Sequence, residues 1–354
     1  MKNLPAELVH LIIRHDRSTS LPLGLANKQY YYIVMPVLYE RVTLKGGRAI
    51  NAFYNTLVMG NPMLREYPRS LHLERVSLTP FDDAGSQRQA VKQLLMHVPN
   101  ITDLNLALDR STIQYLLEDP QYPFRLLKLE IFPRKNASFV EFLKTQPDIQ
   151  QLTLNFDPYL EHYYPTDWSE VTSPLAPDIL PKLKSVQSDM AGLGFLVPSR
   201  PITSISISDF QEYTGFHKIL AKSSAPLEYL KERIHLKSFS WGTTIASQCL
   251  PSLKFCHTSL IEYSLRIFPK SYVSNSVLFF LEDDRSNSLA KIRGALSAFP
   301  GLKKFTLSFR SDQFNDLTPQ FCESVPELSR FQVWKECCPK LEEVIIFGIR
   351  LIGA

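Results

Sequence analysis

The stretch Pro99–Leu106, PNITDLNL, contains the pattern that decides the fold. A proline is followed by one residue, an aliphatic residue, two further residues, an apolar residue, one residue and a second apolar residue. The pattern recurs with small changes at residues 147–154, 300–307 and 339–346. A fixed pattern repeated at intervals of tens of residues indicates a repeat architecture, in which each unit buries its apolar face against its neighbours.

Less regular copies of the pattern occur between and around these four stretches. The copies that keep the proline begin at Pro68, Pro123, Pro181, Pro201 and Pro251, and a copy without proline contains Leu236, Phe239 and Trp241. The mean spacing of about 30 residues lies near the upper end of the spacing in leucine-rich repeats. The uneven spacing indicates insertions between the units.

The stretches that precede many of these copies carry apolar residues at helical spacing. These groups are Val91/Leu94/Leu95/Val98, Ile113/Leu116/Leu117, Phe139/Phe142/Leu143, Phe216/Ile219/Leu220, Leu289/Ile292/Leu296/Phe299 and Phe331/Trp334/Cys338. A proline that follows a helix ends it, and the apolar pair after the proline suits a short buried strand. We therefore predict an α/β fold over residues 45–354: an irregular leucine-rich-repeat solenoid with parallel strands inside and helices outside.

The first 44 residues do not fit the repeat. Pro5 stands at the first position of a predicted helix, where proline is favoured. The apolar face of that helix is formed by Leu8, Leu11 and Ile12. A polar break over residues 16–20 separates it from a second helix that begins at Pro22, and residues 42–44 are predicted to form a strand.

This N-terminal segment resembles an F-box, in particular that of fungal proteins in which a short F-box runs directly into leucine-rich repeats. The resemblance is carried by residues 4–8 (LPAEL), 21–30 (LPLGLANKQY) and 36–44 (PVLYERVTL). It implies a small helical hook that binds the Skp adaptor of a cullin–RING ubiquitin ligase. The residues that match the motif, and would face the adaptor or support that face, are Leu4, Pro5, Leu8, Ile12, Leu25, Lys28 and Tyr31.

The resemblance implies that the repeats select the protein to be ubiquitinated. The chain would then be a substrate-recognition subunit of a Skp–cullin–F-box ligase and would not itself be an enzyme, because partner subunits would transfer the ubiquitin. The alternative is a leucine-rich-repeat interaction scaffold without ligase association. A third reading, an enzyme with an unrecognised site on the solenoid, has no group of residues to support it.

Residues that could carry chemistry are scattered. The eight histidines are not grouped at metal-ligand spacing, and the sequence has no H-E-x-x-H, G-x-S-x-G or phosphate-binding glycine loop. Gly192 and Gly194 lack a third glycine and predict a turn. The acid pairs at residues 82–83 and 283–284 predict solvated loop charge and not a metal site. We therefore expect no cofactor and no metal.

One segment interrupts the solenoid, at residues 155–178. It contains five acidic residues and no lysine or arginine. Its candidate substrate-binding residues are Tyr159, Tyr163, Tyr164 and Trp168. Tyrosine and tryptophan supply large, rigid contact surfaces, and loops on a repeat scaffold often bind partners. The segment predicts either a loop that binds a basic peptide or a group of aromatic side chains that pack over the solenoid.

The composition of the whole sequence limits the cellular compartment and the classes of partner that are expected. With 39 basic and 35 acidic residues interspersed, the net charge is only +4, which disfavours a nucleic-acid surface. The five cysteines include no C-x-x-C motif and predict reduced thiols, with Cys338 buried and Cys337 more exposed. Without a signal peptide or a membrane span, a cytoplasmic or nuclear protein is expected.

Since a solenoid normally closes with a polar cap, the apolar stretch 344–349 indicates either truncation or an exposed edge.

Overall fold

The computed structural model describes residues 5–16, 20–74, 84–119, 121–132, 136–154, 173–207, 216–236, 259–269, 285–309, 323 and 325–353. The chain divides into two compact units. The first contains residues 1–172 and 178–182, and the second contains residues 173–177 and 183–354.

The first unit begins with three helices and continues as alternating strands and helices. Its elements are α1 (Ala6–His15), α2 (Ser20–Ala26), α3 (Lys28–Glu40), β1 (Arg41–Lys45), α4 (Gly46–Met59), a 3-10 helix (Pro62–Glu66), β2 (Ser70–Glu74), α5 (Ala84–Met96), β3 (Asp103–Ala107), α6 (Arg110–Leu117), β4 (Lys128–Ile131), α7 (Ala137–Thr145) and β5 (Gln151–Leu154). Strands β1 to β5 pair in parallel and in sequence order. The predicted strand at residues 42–44 is confirmed as part of β1, and the domain division at residue 44 stays a prediction.

The apolar residues of the repeated pattern form two rows across the strands of this unit. One row contains Leu71, Leu104, Leu129 and Leu152, and the other contains Leu73, Leu106, Ile131 and Leu154. All eight side chains are buried. Because each buried leucine stabilises the fold by roughly 1.5–3 kcal/mol, these rows are a main source of stability. The strands predicted in the copies that begin at Pro68, Pro99, Pro123 and Pro147 are confirmed, and so are the helices before the last three copies. The second predicted helix begins at Ser20 and not at Pro22.

Strands β3, β4 and β5 each start with the same pair of hydrogen bonds. The N–H groups of Thr102 and Asp103 both donate to the carbonyl of Arg69, at 2.8 and 3.0 Å. The arrangement repeats one strand later, where two successive N–H groups donate to the carbonyl of Thr102, and again where two donate to the carbonyl of Leu127. The start of each strand is therefore fixed to the strand before it.

Helices α6 and α7 of this unit each start at a side-chain cap. Asp109 accepts a hydrogen bond from the N–H of Thr112 at 2.9 Å, and Asn136 accepts one from Phe139 at 3.0 Å. Such caps stabilise a helix by about 1 kcal/mol because they pair a backbone donor that has no partner inside the helix. The predicted apolar groups of α5, α6 and α7 are buried.

The second unit has the same alternation of strands and helices. Its elements are β6 (Ser185–Ser188), α8 (Met190–Leu196), β7 (Ser204–Ile207), α9 (Phe216–Leu220), β8 (Tyr229–Leu236), β9 (Glu262–Pro269), α10 (Arg285–Leu296), β10 (Lys304–Phe309), α11 (Pro326–Ser329), α12 (Phe331–Cys337), β11 (Glu343–Ile346) and β12 (Ile349–Ile352). Strands β6 to β11 pair in parallel and in sequence order, as in leucine-rich repeats. The two-donor arrangement recurs here, for example from Ser204 and Thr203 to the carbonyl of Lys184.

Strand β12 runs antiparallel to β11, so the last described strand is the second arm of a hairpin. The two turn residues, Phe347 and Gly348, both have positive φ, at 52° and 89°. This conformation belongs to the two-residue turn whose twist matches that of paired strands.

The buried thiol predicted at Cys338 and the more exposed one at Cys337 are confirmed.

Two local predictions are wrong. Gly192 and Gly194 lie inside α8 and not in a turn, because Asp189 caps the helix by accepting a hydrogen bond from the N–H of Gly192 at 2.7 Å. Leu236 does not open a repeat unit but ends β8, while Phe239 and Trp241 lie outside the described residues.

The repeat units present in this region begin at Leu227 and Leu260. Their buried strand residues are Leu230 and Glu232 in β8, and Tyr263 and Leu265 in β9. The predicted copy at Pro251 also lies outside the part of the chain that the structure describes.

Candidate interaction surfaces

The three N-terminal helices have their own apolar core. Val9 and Ile13 of α1 pack with Val34 and Val37 of α3. The partly buried residues around them are Leu23, Tyr30, Ile33 and Leu38. Helix α3 starts at Asn27, whose side chain accepts a hydrogen bond from the N–H of Gln29 at 2.9 Å. One face of α1 is thus fully used to hold the three helices together.

A second apolar face of α1 is exposed. Leu8, Leu11 and Ile12 are 47%, 61% and 40% exposed. Their i, i+3 and i+4 spacing places them on one side of the helix, away from Val9 and Ile13. Isolated exposed leucines are common on protein surfaces, but grouped apolar side chains are typical of interaction sites.

The predicted adaptor-binding residues are mostly accessible. Pro5, Leu8, Ile12, Leu25 and Lys28 are exposed, and Leu25, at 77%, is the most exposed large apolar residue of the three helices. Tyr31 is half-buried, and Leu4 lies outside the described residues. Their role in binding an adaptor stays a prediction.

Two accessible residues were not assigned to this surface from the sequence. Leu11 belongs to the same helical face as Leu8 and Ile12, so its spacing could have identified it. Tyr32 is exposed, and its ring meets that of Tyr31 edge to face with 5.7 Å between the ring centroids. The run of three tyrosines gave no indication of which ring faces solvent.

Gly24 lies buried inside α2, where it approaches α3 closely. A Cβ atom at this position would lie 3.4 Å from Cγ1 of Val34, which is an ordinary contact distance. The glycine is therefore compatible with the helix, and the space beside it could hold one methyl group.

The aromatic residues predicted to bind substrate, Tyr159, Tyr163, Tyr164 and Trp168, lie outside the described residues. Their role stays a prediction, and so does the alternative that they pack over the repeats. The structure describes the end of the insert, from residue 173 onward. There Leu175 is buried and its N–H donates to the carbonyl of Phe195 at 3.0 Å.

A buried arginine fixes this end of the insert within the second unit. The guanidinium of Arg200, whose side chain is fully buried, donates to the carbonyls of Leu175 and Ala176 at 3.1 and 2.6 Å. It also donates to the carbonyls of Leu196 and Pro198, at 2.9 and 3.0 Å. Four backbone acceptors thus surround one side chain, which explains how an arginine is accommodated in the interior.

The solvent-facing side of β6 to β9 presents four serines and four longer side chains. In register across these strands lie Ser185, Ser204, Tyr229 and Glu262, and beside them Gln187, Ser206, Lys231 and Ser264. Tyr229 is 42% exposed, and Lys231 is exposed.

Charges farther along this face neutralise one another. Lys304 lies 3.9 Å from Glu262 and 3.2 Å from Glu343, and Arg350 also contacts Glu343. The hydrogen bond from Arg350 holds the pKa of Glu343 below its usual value. Both acids of this group are thus engaged by basic neighbours.

On the buried side of β8, Glu232 occupies a position that most other strands fill with an aliphatic residue. Its register partner on β9 is Leu265. The carboxyl group is fully buried, and Oε2 accepts a hydrogen bond from the Tyr263 hydroxyl at 2.7 Å. Among the described residues, Oε1 has no hydrogen-bond partner. Burial raises the pKa of Glu232 to about 7, against the opposing effect of the Tyr263 hydrogen bond.

No group of three or more His, Cys, Asp or Glu side chains able to hold a metal ion occurs in the described part of the chain. Within the same residues, no helix combines the length and the apolar character that crossing a membrane requires. The accessible features are therefore the apolar face of α1, with its neighbours on α2 and α3, and the polar sheet face of the second unit.

The chain was compared with protein families, curated proteins and solved structures. No protein-family model matches the chain, and no curated protein matches it. Among solved structures, it is similar to the leucine-rich repeat-containing protein LegL7 from Legionella pneumophila, at 13% identity and a TM-score of 0.43, over 88% of this chain and 85% of that one. Similarity at this level does not indicate a shared function, and none is inferred from it.

Proposed function

We propose that the chain is a substrate-recognition subunit of a Skp–cullin–F-box ubiquitin ligase. Residues 1–44 bind a Skp-type adaptor, and the repeats bind the target protein. The chain performs no catalysis, needs no cofactor, and works in the cytoplasm or the nucleus. The observation that carries this proposal is the second, exposed apolar face of α1, which belongs to a segment that resembles an F-box.

The energetics of α1 support a bound partner on this face. Leu8, Leu11 and Ile12 do not belong to the core of the three helices, to which α1 contributes Val9 and Ile13. Burying each of them in an interface would contribute roughly 1.5–3 kcal/mol. A few apolar anchors of this kind provide most of the binding energy in many interfaces.

The coarser role, a repeat-based interaction scaffold, is supported by the accessible sheet face of the second unit. That face does not depend on the N-terminal helices. A scaffold without ligase association is therefore the second candidate, and it differs from the first only in lacking the adaptor.

Adaptor capture tests the proposal. Leu8 and Ile12 are both replaced with serine in the full chain, and purified Skp adaptor is the probe. We expect the double variant to lose adaptor binding by at least about a hundredfold, because two anchors are removed, each of which contributes roughly 2 kcal/mol. Circular dichroism and the melting temperature should remain as in the wild type.

Met59 provides the matched control, since it is an exposed apolar residue on α4, outside the first 44 residues. Met59→Ser should bind the adaptor like the wild type. Equal adaptor binding by the wild type and the Leu8→Ser/Ile12→Ser variant would show that this face is not the adaptor site. A wild-type chain that binds no adaptor would leave the scaffold as the better candidate.

A further inference from the structure

Tyr229 and Lys231 lie on the solvent-facing side of β8, two residues apart. They alternate with the buried Leu230 and Glu232, so their side chains point to the same face. On the neighbouring strand β7 their register partners are Ser204 and Ser206, whose side chains are short. A long aromatic and a long basic side chain therefore project into solvent beside two short polar side chains.

The charge of Lys231 is not neutralised by its surroundings. Among the residues that the structure describes, no carboxylate lies within 4.0 Å of its ammonium group, and its register partners, Ser206 and Ser264, are uncharged. The nearest acid by register, Glu262, pairs with Tyr229 across the strands and is already in contact with Lys304. Among the described residues, an ammonium group without an acidic partner therefore lies next to an exposed ring on this face.

We propose that this face binds an extended, acidic peptide segment of the target protein. In an extended peptide, side chains two residues apart point the same way and lie roughly 6.5–7 Å apart, as Tyr229 and Lys231 do on β8. An apolar residue would pack on the Tyr229 ring, and an Asp or Glu two residues away would pair with Lys231. The motif recognised is thus an apolar residue, any residue, and an acid.

Physical chemistry gives the two contacts different roles. Tyrosine rings provide large contact area at little cost in conformational entropy and are enriched among residues that dominate binding energy. A complementary charge pair at the edge adds specificity and speeds association more than it adds affinity. This inference rests on the proposed role of the repeats as the target-binding surface.

Two pools of short synthetic peptides test it, one with Leu-x-Glu at the centre and one with Leu-x-Lys. The other positions are drawn from Gly, Ser, Ala and Asn, and binding to the full chain is measured by fluorescence anisotropy. We expect the wild type to bind the Glu pool about tenfold more tightly. Lys231→Glu should reverse this preference, and Tyr229→Ser should weaken binding of both pools.

Lys218→Glu is the matched control, because it makes the same charge change on α9, at an exposed position of the same unit. It should leave the preference unchanged. A Lys231→Glu variant that keeps the wild-type preference, or a wild type that shows no preference, would overturn the inference.

Adaptor capture on the same preparation separates this inference from the ligase role. If the chain prefers the Leu-x-Glu peptides but does not capture the adaptor, the peptide-binding surface is supported and the ligase role is refuted. If capture is present and preference is absent, the surface assignment fails.

Discussion

Replacement of Glu232 with glutamine should change how the stability of the protein depends on pH. The carboxyl group is fully buried on β8, and its folded-state pKa of about 7 lies above its ordinary value of 4.5. Between these two values the folded chain holds a proton that the unfolded chain has released. The contribution of Glu232 is therefore fully present below about pH 4.5 and is lost as pH rises through about 7.

The size of the effect follows from the difference between the two pKa values. Each unit is equivalent to about 1.4 kcal/mol, so burial of the ionised group opposes folding by ~3 kcal/mol above pH 7. Glutamine has nearly the same shape, keeps an oxygen to accept the Tyr263 hydroxyl and cannot ionise. Relative to the wild type, Glu232→Gln should thus gain ~3 kcal/mol in unfolding free energy between pH 4.5 and pH 8.

Urea denaturation followed by circular dichroism, at several pH values over this range, measures that difference. Glu228→Gln is the control, since Glu228 lies just before β8 and is only partly buried. The control should follow the wild type at every pH. If the unfolding free energies of the wild type and Glu232→Gln differ by the same amount at every pH from 4.5 to 8, burial does not raise the pKa of Glu232. That result would refute the prediction.

Three further substitutions test the packing by the midpoint of chemical denaturation. Leu152→Ala should destabilise the protein by roughly 2–5 kcal/mol, because Leu152 is buried between neighbouring strands; an unchanged midpoint would argue against the solenoid. Gly24→Ala should stabilise it by up to about 1 kcal/mol, because the added methyl group fits beside Val34 and alanine favours the helix; a clear loss would mean that α2 and α3 pack more closely. Arg200→Met should cost roughly 3 kcal/mol, because four carbonyls lose their donor; a cost below about 1 kcal/mol would contradict this.

The sequence located the repeat units whose strands carry an apolar residue at both buried positions. At Pro99 and Pro147 the pattern gave both the strand and its buried residues, since proline, helical spacing and alternation all indicate the same boundaries. It failed around β8, where Glu232 replaces an aliphatic residue. The hydroxyl of Tyr263 stabilises the buried carboxyl group by donating a hydrogen bond to it. Tyr263 lies 31 residues later, in the next repeat, so a local sequence pattern does not reveal the pair.

Helix α8 was missed for a different reason. Glycine disfavours helices by about 1 kcal/mol, and two glycines within seven residues predict a turn. In the structure, a Cβ atom at Gly192 would lie 1.9 Å from Oγ of Ser188, so a larger residue would collide with the end of β6. Close packing at the start of the helix overrides the propensity, and a sequence pattern does not contain that information.

The candidate surfaces were predicted to different degrees. Leu8 and Ile12 were assigned to the adaptor surface because they match the F-box motif, and their helical spacing places them on one face of α1. Tyr229 and Lys231 could not be found in this way, since the strand that carries them was assigned to the wrong residues. A surface position on a sheet is defined by its register partners, and these are known only once the strands are paired.

The pair of hydrogen bonds at the start of strands such as β3, β4 and β5 has a consequence for how such a chain can evolve. One edge of each sheet tolerates no change in length, because adding a residue before Thr102 would move both donors away from the carbonyl of Arg69. Among the described residues, no such pair of hydrogen bonds is found where a strand ends, for example at residues 108–109, which connect β3 to α6. An insertion at the edge where strands end therefore leaves the hydrogen bonds between the starts of neighbouring strands in place. A designer could graft a foreign recognition loop there, after Ala107, and leave the neighbouring units undisturbed.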